Sequence, residues 1–135
     1  MKTNLITAVK LFDAIVKLSE APMDYSSAHA LVMTKAELEP HITFFAEKES
    51  DLLLAYTQKD EEGNPVMEGE GRYVIHKDDA AAFRKEREQL NSVEVEIKKR
   101  KLKKLPETIT PAILEVLMLA FELPDESEVN GTDGG

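Results

Sequence analysis

The chain contains no cysteine and no tryptophan, and its aromatic surface comes from three tyrosines and five phenylalanines. Without cysteine there is no disulfide, no thiolate nucleophile and no cysteine-ligated zinc, a composition that agrees with a reducing, cytoplasmic compartment. Long uncharged apolar runs are also missing. Lys10, Asp13 and Lys17 interrupt the apolar N-terminal stretch at helical spacing, so neither a signal peptide nor a membrane span is expected.

Motifs for chemistry are equally scarce. The three histidines, His29, His41 and His76, have no helical metal-site spacing. The run Asp60-Glu61-Glu62 lacks the alternating ligands and closing glutamate of a calcium loop. Gly63, Gly69 and Gly71 lie among glutamates, where a phosphate would be repelled, and have no lysine-serine/threonine ending. No serine stands in a nucleophile elbow. No catalytic, cofactor-binding or metal-ligating residue is therefore assigned, and an enzyme is the least favoured class.

What the chain does have is acid. Its 135 residues carry a formal net charge of −9, which keeps a protein soluble and disfavours general nucleic-acid binding, because counterion release needs clustered cations. The exception is Lys98, Lys99, Arg100, Lys101, Lys103 and Lys104 in the run KKRKLKK. It suits contact with phosphate, an acidic partner or the chain's own acidic surface. With no interleaved aromatics, its simplest reading is a solvated edge strand, where lysines discourage strand addition.

Periodicity supplies the architecture. Leu5, Ala8, Val9, Phe12, Ile15 and Val16 repeat at helical steps, predicting a helix from Asn4 to Ser19 that Pro22 closes. Ser26 and Ser27 read as N-caps of a second helix. Leu31, Leu38, Ile42, Phe45, Leu52 and Tyr56 mark its apolar seam, with Lys35 and Glu49 breaking the series. Pro40 predicts a kink or short break there. The stretch DEEGNP, Asp60 to Pro65, is turn chemistry, and Val66-Met67 and Tyr73-Val74-Ile75 flank the glycine-bearing turn Glu68 to Arg72, which predicts a β-hairpin. Such a hairpin is marginal alone and must pack on something.

A third helix follows, from Lys77 or Asp78 to Leu90, with Ala80, Phe83, Arg87 and Leu90 on one face. Val93, Val95 and Ile97 alternate with charges as in a half-buried strand, pairing either with the inserted hairpin or with a second chain. Thr110-Pro111 opens a last helix, nearly apolar to Leu123 and closed by Pro124. A helix so apolar is buried in the core or against another chain, which makes a homo-oligomer plausible.

The expected fold is therefore α+β and mainly helical: a kinked helical hairpin of Ser27–Gln58 and Asp78–Leu90 with a β-hairpin inserted at its turn, braced by N- and C-terminal helices and one short strand. Residues 1–123 form one domain, and 124–135 read as a disordered acidic tail. Val66, Met67, Tyr73 and Ile75 of the hairpin are the candidate protein contacts.

The order of MKTNLITAVKLFDAIVKL, LEPHITFFAEKESDLLLAY, KDEEGNP, FRKEREQLNSVEVEI and ITPAILEVLMLAFEL resembles that of an uncharacterised family of short proteins encoded by bacteriophages and prophages, mainly of Gram-positive bacteria. The resemblance spans Met1 to about Leu123, and the basic run departs from the family pattern. It implies a viral or prophage origin and a cytosolic, non-catalytic role in the host cytoplasm, and the leading reading is an accessory protein acting through protein–protein contacts in assembly or host takeover. The alternatives are an acidic inhibitor of a host nucleic-acid enzyme or defence complex, and a structural component of the virion.

Overall fold

The structure, a computed structural model, describes residues 1–69 and 72–124. The predicted acidic tail lies outside the described residues from Asp125 onward. Eight elements follow in order: β1 (Lys2–Asn4), α1 (Leu5–Leu18), α2 (Tyr25–Tyr56), α3 (Ala80–Asn91), β2 (Glu94–Glu96), β3 (Arg100–Lys101), α4 (Pro111–Ala120) and β4 (Phe121–Glu122). A single 3-10 turn, Lys77–Asp79, leads into α3. The mainly helical α+β class is the one expected.

α1 is the hub. Asn4 caps it, its side chain accepting from the Thr7 N–H, and Ser19 ends it, close to the limits read from periodicity. Leu5, Ala8, Leu11, Ile15 and Leu18 are buried among Leu31 and Leu38 of α2, Val95 of β2, Ile97, Leu102, Leu117 of α4 and Phe121 of β4. α1 thus packs against α2, α3 and α4.

The cap of α2 corrects the sequence reading. Asp24, not Ser26 or Ser27, holds the N-terminus, with Oδ2 accepting from the Ser27 N–H at 3.0 Å. Ser27 lies inside the helix and is fully buried. The predicted break at Pro40 is absent: α2 is continuous for 32 residues, about 48 Å at helical rise. The proline ring removes one donor, so the Ala36 carbonyl goes without its intrahelical partner.

Both charges that interrupt the α2 seam find partners. The Lys35 ammonium lies 5.9 Å from the centre of the Phe12 ring. Glu49 pairs with Arg87 of α3 at 2.6 Å, and that guanidinium covers the Phe45 ring. Farther out, Tyr56 meets Phe83 edge-to-face with ring centres 6.0 Å apart. Ala80, Phe83, Arg87 and Leu90 form the half-buried face of α3, as their spacing predicted.

Two strand assignments change. β2 pairs not with the inserted hairpin but antiparallel with β1, Thr3 opposite Val95. The last helix stops at Ala120 rather than Leu123. Phe121 turns to extended backbone, and β4 pairs parallel with β3, Arg100 opposite Phe121 and Lys101 opposite Glu122. α4 turns Leu117 and Ala120 inward and leaves Met118 and Leu119 more than half exposed, so the apolar helix is buried on one side alone.

Candidate functional site

The helical hairpin is an arm. The buried side chains of α2 all fall between Ser27 and Phe45, and α3 has none. The outer half of α2 and the whole of α3 therefore hold each other through half-buried contacts. Tyr56 and Glu86 belong to this interface, where the Glu86 carboxylate, as hydrogen-bond acceptor, pushes the Tyr56 hydroxyl's pKa up.

The tip of the arm is more than the predicted hairpin. Met67 faces Tyr73 across it, but a third extended leg, leaving α2, joins both: Thr57 is opposite Ile75, and Lys59 opposite Pro65. The three legs close a ring of backbone hydrogen bonds. Gln58 N–H donates to the Val74 carbonyl at 2.6 Å, Val74 N–H to Val66 at 3.1 Å, and Val66 N–H to Gln58 at 2.7 Å. Each of the three residues thus donates once and accepts once within the ring. Asp60 Oδ1 accepts from the Glu62 and Asn64 N–H groups to shape the first turn. Gly63 and Gly69 take the positive φ angles of the two turns, 84° and 65°, a region costly to any residue with a Cβ.

All four candidate contact residues gather at this tip. Val66, Tyr73 and Ile75 are half-buried and partly serve the tip's own packing, whereas Met67 is 49% exposed. Because ring positions use their own N–H and C=O groups, side chains rather than a free strand edge are what the tip offers there.

Of the basic run, Arg100 and Lys101 form β3, one of the two strands of the β3–β4 pair and so an edge strand with exposed lysines. The backbone of the run is sewn onto α2. Lys98 N–H donates to Glu37 Oε1 at 2.8 Å, and the Lys103 and Lys104 N–H groups both donate to the buried Ser27 Oγ, at 3.0 and 3.2 Å. Arg100 donates to Thr34 Oγ1 at 3.0 Å and pairs with Glu37 at 3.4 Å, its side chain only 16% exposed. β4 covers the strand side at Arg100 and Lys101. Arg100 is therefore a packing residue, while Lys98, Lys99, Lys101, Lys103 and Lys104 keep exposed side chains.

Beside Lys104 opens a groove of about 690 Å³ lined by Pro22, Met23, Asp24, Leu105 and Pro106. Ser27 hydrogen bonds hold the Asp24 carboxyl below the ordinary carboxylate range, so it stays ionised as a cap. Among the described residues no three His, Asp or Glu side chains are grouped to hold a metal ion. His76 has a structural task, its Nδ1 accepting from the Asp78 N–H ahead of α3. No helix of the described residues is long and apolar enough to cross a membrane. The chain matches no protein-family model, no curated protein and no solved structure.

Proposed function

We propose that this chain is a non-catalytic accessory protein, of phage or prophage type, that works by presenting its arm tip to a protein partner. The observation that carries the reading is the arm itself. Roughly half the chain forms a helical pair whose outer part contributes little to the core and ends in a self-satisfied tip. Such construction supplies reach and a small contact surface at its end. Met67, exposed at the end, is the natural anchor, since flexible apolar thioethers adapt to partner surfaces.

The test is capture of a partner from phage-infected host extract by the tagged chain, compared with Met67→Glu, Tyr73→Ala and Ile75→Ala. Met67→Glu abolishes capture while leaving the thermal melt unchanged. Tyr73→Ala and Ile75→Ala weaken it along with tip stability. A partner retained at full yield by Met67→Glu defeats the assignment of the tip.

A second reading has its own support. Residues 39–90 carry thirteen Asp and Glu against seven Lys and Arg, so the arm is an acidic rod, suited to occupy the basic groove of a host nucleic-acid enzyme. That reading requires a complex that competes with DNA or RNA and weakens steeply with salt. Salt-independent capture favours the first reading.

A further inference from the structure

The back of α2, turned away from α1 and α3, departs from the pattern of a surface helix. Such a face is ordinarily lined with charge. From Tyr25 to Ala46 the one exposed Asp, Glu, Lys or Arg is Glu39. At about 100° per residue, Val32, Ala36 and Pro40 line the centre of this back, with Met33 and Phe44 along one flank. All five are exposed. The opposite side of the helix carries the buried Leu31, Thr34, Leu38 and Phe45, so the described fold leaves the stripe open. Pro40 costs the helix a hydrogen bond and, being exposed, gains nothing from core packing. Charge returns from Glu47 outward, where Glu47, Lys48 and Asp51 are exposed.

We propose that this stripe is the interface of a homodimer, in which the α2 helices of two copies pack antiparallel about a two-fold axis level with Leu38. Two observations select a second copy as the occupant. The first is self-complementarity. An axis at that level sets Ala36 beside Pro40 of the other copy, two small apolar side chains at the centre, where helices approach closely. Met33 and Phe44 share a flank and meet as thioether against aromatic ring. His29 comes level with Glu47 of the other copy, so the first charge beyond the stripe finds a hydrogen-bond donor rather than an apolar surface. The second observation is size. Tyr25 is 95% exposed and Val32 62%. With the residues between Tyr25 and Phe44, the stripe offers on the order of 600 Å² per copy, so two copies reach the lower edge of the ~1,200–2,000 Å² that stable interfaces bury. The pairing sends the arms of the two copies in opposite directions, and it stands independently of what their tips bind.

Sedimentation velocity between about 1 and 200 µM tests the pairing, and the wild type dimerises within that range. Val32→Lys and Ala36→Glu, each at an exposed position, weaken the dimer about a hundredfold or more, because each buries two unpaired charges in the interface. Both leave the melting midpoint of the dilute monomer unchanged. Leu119→Glu, on the exposed side of α4, dimerises as the wild type does. Because the chain has no cysteine, a single nitroxide per copy reports the geometry. In the dimer, labels on Glu39→Cys, near the axis, lie within about 20 Å of each other, and labels on Ser26→Cys lie about 36 Å apart along the helices. A wild type that stays monomeric at about 200 µM overturns the proposal. Dimerisation retained by both charged α2 variants, or lost in Leu119→Glu alone, also overturns it. Equally short distances at both labels show parallel helices and overturn the pairing.

Discussion

Ser27 joins two parts of the chain that are far apart in sequence. Its hydroxyl is fully buried in α2 and accepts from the consecutive N–H groups of Lys103 and Lys104. Ser27→Ala leaves both donors without that acceptor and destabilises the fold by about 1–3 kcal/mol in urea unfolding, with the loss of amide protection greatest at those two residues. The sequence marks Ser27 as polar and near a helix start, which suggests a cap, but a partner 76 positions away leaves no local trace. Asp24, the actual cap, gives a pH signature. Ser27 hydrogen bonds lower its native pKa below the ordinary 3.8, so its stabilising contribution is complete above that pH and is lost as pH falls through the native value. Unfolding curves of wild type and Asp24→Asn therefore keep a constant separation from pH 7 to about 5 and converge progressively below it. Lys35 and Glu49 were legible as interruptions of an apolar series, while Phe12 and Arg87, which accommodate them, were not.

At the scale of elements, helical periodicity located all four helices, because an amphipathic face repeats over several turns and survives local exceptions. Terminal turns and strand partners were harder. Phe121 to Leu123 extends the apolar pattern of α4, yet pairing with β3 draws it into extended backbone. Lys2 to Asn4 has no alternation of its own, so nothing announced it as the partner of Glu94 to Glu96. Pro40 was legible as a disturbance, but tertiary packing of α2 on both sides of it outweighs the lost hydrogen bond. Since Pro40 is exposed within a continuous helix, Pro40→Ala restores the donor to the Ala36 carbonyl. The gain of about 3 kcal/mol in helix formation, reduced by up to about 1 kcal/mol from a looser unfolded chain, leaves a net stabilisation near 2 kcal/mol. Thermal unfolding checks it, with a raised midpoint expected.

The whole molecule divides its labour between a body centred on α1 and an arm whose outer part adds few buried contacts. The turn residues of Asp60 to Pro65 and the β-prone pairs showed where the helical pattern is interrupted. They did not show that residues leaving α2 would join the hairpin as a third leg, because that closure depends on three segments meeting in space. The ring they form has a practical meaning for engineering. Thr57 and Ile75 lie opposite one another, so the tip enters and leaves through a single narrow gate and behaves as a cassette. Replacing residues 58–74 by a short glycine-asparagine link leaves the body's melting midpoint within a few degrees of the wild type, while removing Met67 and partner capture together. By the same logic a foreign loop with closely spaced ends can be installed at that gate, which makes the arm a ready-made stalk for displaying it.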